Sequence, residues 1–395
     1  ALVFPHQFFP THDRYSAVLF SFGTYFVGFA ARPLGAAIFG HMGDRIGRKA
    51  SLIATLVMMG VATAGIGFIP GYATIGIGGA ILLTAARVLQ GIAVGGEWGG
   101  SVLLAAEWSH RGKRGLAASW PQWGAPAGLL LANGAVWLTG KLVGDGAFTS
   151  WGWRVPFFAS AILVAIGMWI RTGVHEPPAF SRMRDAGSVE RAPVREVVRR
   201  HWREVLLTAL LRTGQQAPFY VFTVWVLSYG SGVLGFARDN LMGAVLIAAA
   251  VSMVTIPLWG HLSDRFGRRR IIAAGCILMV GWPFVYFEML GAGSFTVAFV
   301  AIVLALPIHD LQYGPQAAVI AEAFPARVRY SGSSLGYQLA SITSGGPAPI
   351  VATWLMHEYG SGMAVAAYIS VCAAVSLVSL LLLPDRQARD FDAAD

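Results

Sequence analysis

The chain has 395 residues, of which 55% are hydrophobic and 12% charged, with a mean hydropathy of +0.60; an ordinary soluble domain carries about 25% charged residues. This balance excludes a soluble globular protein. The formal net charge of +9 does not point to nucleic acid, because the basic residues are scattered among the connections between apolar stretches and form no single face.

Apolar stretches of about 20 residues, long enough to cross a bilayer as helix, predict spans at 16–40, 51–70, 79–107, 115–139, 153–173, 204–230, 241–260, 271–290, 294–322, 331–354 and 362–383. Lipid gives the backbone no water partners, so helices are expected, and the alternating pattern of an outer-membrane barrel is absent. Connections 41–50, 108–114, 174–203, 261–270, 323–330 and the tail from 384 hold most of the Arg and Lys; 70–78, 291–293 and 355–361 hold none. The segments 1–15, 140–152 and 231–240 carry only Arg14, Lys141 and Arg238. The positive-inside rule therefore puts the basic set, with the C-terminal tail, in the cytoplasm.

A repeat organises the chain. The decapeptide GHMGDRIGRK (Gly40, Asp44, Arg45, Gly47, Arg48, Lys49) returns about 220 positions later as GHLSDRFGRR (Gly260, Asp264, Arg265, Gly267, Arg268, Arg269). Ala106 and Glu107, followed by Arg111, Arg114 and Gly115, are echoed by Ala321 and Glu322, followed by Arg327, Arg329 and Gly332. The expected organisation is a helical bundle 1–173, a cytoplasmic linker 174–203, a second bundle 204–384 and a tail 385–395. Both decapeptides fall on the same side, which makes the repeat parallel, as in transporters. The second half has two spans ahead of its decapeptide and the first half only one. Residues 1–4 look like the outer end of a further helix, so the expectation is a natural protein that starts about 30–40 residues earlier, one helix length with its flank. The alternative is an eleven-span chain with an external N-terminus.

The duplicated decapeptide resembles the signature loop of the major facilitator superfamily, and Arg87 to Gly91 (RVLQG) resembles that superfamily's signature on helix 4. Gly28 to Gly35 (GFAARPLG), Gln90 to Gly100 (QGIAVGGEWGG), Trp151 to Phe157 (WGWRVPF), Tyr313 to Gln316 (YGPQ) and Arg329 to Gln338 (RYSGSSLGYQ) look like the metabolite:proton symporters. The opening ALVF and the pair His309 and Asp310 look most like the shikimate transporter branch. The resemblance implies an all-α membrane protein of the major facilitator fold, two six-helix bundles related by a pseudo-two-fold axis. It also implies a bacterial inner-membrane monomer that takes up organic acids or osmolytes with protons by alternating access, without cofactor. The chain departs from the shikimate branch on its seventh helix, where Gln215 and Gln216 stand in place of an acid. Gly124, Pro126 and Gly128 match only in part the glycine and proline run of drug-exporting antiporters, which favours uptake.

A charge in the bilayer costs at least about 2.5–3.5 kcal/mol on insertion scales, so each one retained needs a cavity or a partner. Arg87, Gln90, Val94 and Glu97 share roughly one helix face. Arg87 can hold a substrate carboxylate; its other reading is a structural ion pair with an acid on helix 1. Glu97 sits among Gly95, Gly96, Gly99 and Gly100, where helices approach closely; it is a proton carrier or a packed neutral acid. His309 and Asp310 at mid-helix suggest a proton relay, although adjacent helical residues point about 100° apart. Arg212 either binds substrate or snorkels to the cytoplasm. Gln122, Trp123, Tyr220, Tyr313, Gln316, Tyr337 and Gln338 can line a substrate pocket or simply pack. In the decapeptides, Asp44 and Asp264 can accept bonds from helix N-terminal amides or Arg, and Arg48 and Arg268 can reach Glu107 and Glu322; with Arg45 and Arg265 these form a candidate cytoplasmic gate. Pure positive-inside topology explains the Arg and Lys but not the repeated Asp and Gly. Pro121, Pro126, Pro218, Pro257, Pro307, Pro347 and Pro349 suit helices that bend. Cys276 and Cys372 lie in apolar spans without a CxxC or a metal-ligand cluster, and no HExxH, nucleotide loop or nucleophile motif suggests an enzyme. The expected partners are a small-molecule substrate, protons and lipid; a membrane sensor is the competing reading, with only a short tail to carry its output.

Overall fold

The computed structural model describes residues 4–8, 23–110, 112–173, 175–176, 178–185 and 190–387, and among them there is no strand. The parts of the expected first span at 16–22, of the linker at 186–189 and of the tail from 388 fall outside the described residues, as do Arg14 and Arg111.

Twelve helical elements carry the architecture: α1 (Phe4–Phe8), α2 (Arg32–Arg45, preceded by helical residues 23–30), α3 (Arg48–Phe68), α4 (Ile77–Glu107), α5 (Arg114–Val143) and α6 (Val155–Gly173), then α7 (Trp202–Tyr220), α8 (Arg238–Phe266), α9 (Arg268–Gly291), α10 (Phe295–Glu322), α11 (Arg329–Ala340) and α12 (Gly362–Leu382). Helix α7 continues through a π turn, Val221–Trp225, into Val226–Gly232. Helix α11 continues through Ser341–Gly345 into Ala348–Tyr359. The linker holds two short helices, Pro178–Asp185 and Pro193–Arg200.

Among the described residues seven helices, α3, α4, α6, α8, α9, α10 and α12, are long and apolar enough to cross a membrane by length and composition. Helices α2 and α11 are too short for that test as unbroken α-helix, at 14 and 12 residues, and α7 falls short in apolar character. They carry Arg32, Arg212, Gln215, Gln216 and Gln338, and a π turn splits both α7 and α11. Segments that line a polar interior lose hydropathy, whereas α6, with no buried residue, keeps it. The surface shows the complementary pattern: Phe68, Leu142 and Trp169 are all about three-quarters exposed, while Gln312, Gln316, Ser331 and Ser333 are fully buried.

The glycine of each decapeptide makes the turn between two helices. Gly47 has φ 133° and Gly267 φ 96°, a region that side-chain-bearing residues avoid; two residues separate α2 from α3, and Gly267 alone separates α8 from α9. Helices α2, α3, α4 and α6 pack among themselves, as do α7, α9, α10 and α12 with α8 and α11. Two seams join the sets: α5 lies along α8, and α2 along α11. The α2–α4 crossing depends on small residues. A Cβ on Gly95 would strike the Arg32 carbonyl, and one on Gly91 the Gly28 carbonyl.

Gly95→Val should therefore lower the stability of the purified protein by about 1–3 kcal/mol through overpacking. Gly65→Ala, where an added Cβ meets nothing within 4 Å, should be neutral or stabilise by up to about 1 kcal/mol from helix propensity. Unfolding midpoints in detergent check both, and equal responses would contradict the close crossing.

Candidate functional site

One end of the molecule is closed by a reciprocal arrangement. Asp44, at the end of α2, accepts the backbone N–H groups of Tyr330 at 3.2 Å and Ser331 at 2.8 Å, in the first turn of α11. Asp264, near the end of α8, accepts those of Gly115 at 2.8 Å and Leu116 at 3.0 Å, in the first turn of α5. Each carboxylate thus caps a helix from the opposite half of the repeat, satisfying N–H groups that have no intrahelical partner and facing the positive end of the helix dipole.

The arginine of each decapeptide turns inward. Arg48 pairs with Glu107 at 2.8 Å, both side chains fully buried, and Arg329 stands 3.9 Å from the same carboxylate. Arg268 pairs with Glu322 and reaches Asp264 at 3.3 Å. Tyr330, unforeseen from sequence, donates its hydroxyl to the Gly96 carbonyl at 2.8 Å. Glu176 caps α3 by accepting from the Arg48 and Lys49 amides at 3.0 and 2.9 Å. Outside the spans, burial holds the His201 imidazole of the linker below its usual proton affinity. Arg45 and Arg265, expected in the gate, are exposed and outside this network; Arg45 meets the His41 ring at 3.4 Å. Each follows its aspartate by one position, so the helix turns it about 100° away from the seam.

Beyond the closed end lies a cavity of about 450 Å³. Of the residues singled out in the sequence, Glu97, Gln122, Arg212, Tyr220, Tyr313, Tyr337 and Gln338 line it. Arg32, Trp98, Gln215 and Gln216 also line it, and sequence reasoning had not assigned them there. The Trp98 and Tyr337 rings stack across the α4–α11 contact, centroids 3.4 Å apart and 12° from parallel. Trp98 donates its indole N–H to Gln122 at 2.7 Å, and Gln338 donates to the Val94 carbonyl at 3.2 Å.

Arg212 does not snorkel. It is 5% exposed, with its guanidinium carbon 3.2 Å from the centre of the Tyr337 ring and Nη1 donating to the Tyr337 carbonyl at 2.7 Å and Gln216 Oε1 at 3.0 Å. Arg87 and Gln90 turn into a smaller cavity of about 210 Å³ that shares Arg32 and Val94 with the larger one. Arg87 donates to Gln90 at 3.0 Å, and Gln90 to Thr63 at 2.7 Å. Glu97, read as a proton carrier or a packed neutral acid, instead pairs with Arg171 of α6, which also donates to the Leu52 carbonyl at 2.6 Å. Trp123 and Gln316 do not line the large cavity. Trp123 sits beside Trp120, ring centroids 6.2 Å apart, one position and about 100° around α5 from Gln122. Gln316 is buried one turn nearer the closed end than Tyr313 and donates to the Leu211 carbonyl at 3.4 Å.

His309 and Asp310 are in contact, contrary to the divergence expected of helical neighbours. His309 Nδ1 lies 2.9 Å from Asp310 Oδ1, and Asp310 Oδ2 accepts from Ser252 at 2.7 Å and Thr255 at 2.5 Å. On its other side His309 Nε2 lies 2.7 Å from Gln215 Nε2. With the amide donating, Nε2 accepts and the Nδ1–H donates to Asp310, which describes a neutral imidazole. Gln215 Oε1 is buried and unbonded. Because Gln215 lines the cavity, the sequence cavity, Gln215, His309, Asp310 is continuous. Among the described residues no group of three His, Cys, Asp or Glu side chains has the arrangement of a metal site.

A family model described as Major Facilitator Superfamily matches residues 14–347. An inner membrane metabolite transport protein of Escherichia coli (strain K12), YhjE, is 41% identical over 96% of this chain and 88% of its own length. The shikimate transporter of the same strain is 40% identical over 98% of this chain and 89% of its own. In structure, the proton:xylose symporter XylE superposes with a TM-score of 0.82 at 17% identity, covering 99% of this chain and 92% of that one, and shows the shared fold.

Removing one member of the buried pair Arg48 and Glu107 leaves a charge without its counter-ion, so Glu107→Gln should cost about 3–5 kcal/mol. Arg45→Ala and Arg265→Ala, at exposed positions outside the network, should stay within about 0.5 kcal/mol of the parent. Chemical unfolding in detergent measures all three, and comparable losses would contradict the assignment of inward and outward arginines.

Proposed function

Since the chain belongs to the major facilitator superfamily, a family of membrane transporters, we propose that it takes up a small organic acid together with a proton by alternating access. The two halves rock about the central cavity, and the decapeptide end faces the cytoplasm, as the basic connections require. The observation that carries this reading is Arg212: buried, lining the cavity and, among the described residues, bonded only to neutral carbonyl oxygens. A permanently charged fork without a carboxylate of its own is suited to one brought by the substrate. The shikimate transporter at 40% identity supports a carboxylate cargo.

In this reading the proton goes to His309. A proton reaching Nε2 from the cavity is accepted when the Gln215 amide turns to present Oε1, and Asp310 balances the imidazolium charge. Substrate anion and proton then cross as a neutral pair, without work against the membrane potential of about 2.3 kcal/mol per charge at 100 mV. Tyr313, Tyr337 and the amides of Gln122 and Gln338 frame the body of the substrate. The Asp44 and Asp264 caps and the pairs behind them form the gate, broken when the cavity opens inward. Arg87, in the side cavity, serves as an outer anion contact, and Glu97, held by Arg171, as a second titratable group. A second reading, uptake of a zwitterionic osmolyte, is favoured by Glu97 in the wall of the same cavity, where a substrate cation can displace Arg171.

Proteoliposomes with an imposed pH gradient test this. Labelled shikimate, 2-oxoglutarate and betaine are offered in turn, and accumulation of an acid that vanishes with the gradient is expected. His309→Gln should abolish gradient-driven accumulation, bringing inside and outside concentrations to parity, while leaving exchange of labelled for unlabelled substrate. Accumulation indifferent to the gradient in the parent protein would end the symport reading.

A further inference from the structure

Two guanidinium groups, one from each half of the repeat, face the large cavity. Arg32 comes from α2 and Arg212 from α7. Neither has a carboxylate partner among the described residues, and the Nε of each is buried and unbonded. Each is stacked on an aromatic ring, Arg32 with its central carbon 3.8 Å from the Phe29 centroid and Arg212 at 3.2 Å from Tyr337. Stacking fixes the plane of a guanidinium and leaves its N–H edge for a ligand. The other charged group of the wall, Glu97, is committed to Arg171, so the cavity carries a net positive charge.

We propose that Arg32 and Arg212 form a two-sided clamp for the carboxylate of the transported anion, making Arg32 a substrate-binding residue. The clamp rests on the carboxylate reading above and adds a geometric consequence. Arg32 is on the same helix as Asp44, twelve positions from it, and α2 forms one of the two seams with the opposite half. An anion gripped from both halves therefore ties the occupancy of the site to the relative position of the halves. Arg212 alone would leave binding indifferent to that movement.

The test is binding to the purified full-length transporter of shikimate and 2-oxoglutarate, each beside its methyl ester, in the parent protein and in Arg32→Gln and Arg32→Lys. The parent should prefer acid to ester. Arg32→Gln should weaken acid binding by about tenfold or more, the size of a lost charge-assisted bond, leave ester binding unchanged and so erase most of the preference. Arg32→Lys should retain part of it. Ester binding within the same variant reports that its fold is intact, and Arg32→Lys repeats the test with the charge kept. If the parent prefers acid and Arg32→Gln keeps that preference in full, the clamp is wrong and the carboxylate reading stands. If Arg32→Gln weakens acid and ester alike, the role of Arg32 is packing and the clamp is again wrong. A parent protein without preference for acid over ester removes both.

Discussion

Each half of the repeat holds the other half's helix end. Asp44 from the first half caps α11 in the second, and Asp264 from the second caps α5 in the first. A carboxylate against two amide donors at a helix start is among the stronger polar contacts available at a water-poor interface. Its duplication closes one end of the molecule on both seams at once. The arginines behind the caps, Arg48 and Arg268, are themselves neutralised by Glu107 and Glu322, while other basic residues of that end, Arg45 and Arg265 among them, stay exposed.

Inside the cavity the balance is different. Arg32 and Arg212 are held by rings and neutral oxygens, and Glu97 is already paired, so the uncompensated charge is positive. Behind the wall Gln215 connects this space to the His309 and Asp310 pair. In the proposed reading, anion site and proton site are separate groups within one continuous network, with α7 contributing both Arg212 and Gln215 one turn apart. A movement of α7 changes both together, a physical basis for coupling that needs no direct contact between proton and substrate.

Most of the architecture was legible because lipid forces the issue: apolar length marks the spans, and most helix ends fall within about a turn of the expected bounds, while α2, α8 and the continuation of α11 run further, α2 and α8 into the decapeptides. The pairings within and around the duplicated loop were legible for another reason, since a residue retained twice at equivalent positions needs a reason that topology alone does not supply. What escaped were contacts between residues distant in sequence. Nothing near Glu97 announces Arg171, 74 positions away, and nothing near Trp98 announces Tyr337. Arg32 was within reach, being a charge inside an expected span, yet it stood in a motif read for resemblance alone. The separation of Arg45 from Arg48, and of Trp123 from Gln122, follows from helix rotation once the seam is known, but the sequence does not say which face meets the seam. The contact of His309 with Asp310 reflects a side-chain bend toward a neighbour that ideal helix geometry does not anticipate.

The central claim is that the two halves move as units and that the paired aspartate caps hold one end shut. Spin labels at Arg45→Cys and Arg265→Cys, both exposed at that end and on opposite halves, report the claim directly by pulsed electron paramagnetic resonance in liposomes, with Cys276 and Cys372 replaced by serine. With both caps intact the account predicts a dominant short distance; with Asp44→Asn and Asp264→Asn combined, it predicts a second, longer population. The same distribution in both proteins would contradict it.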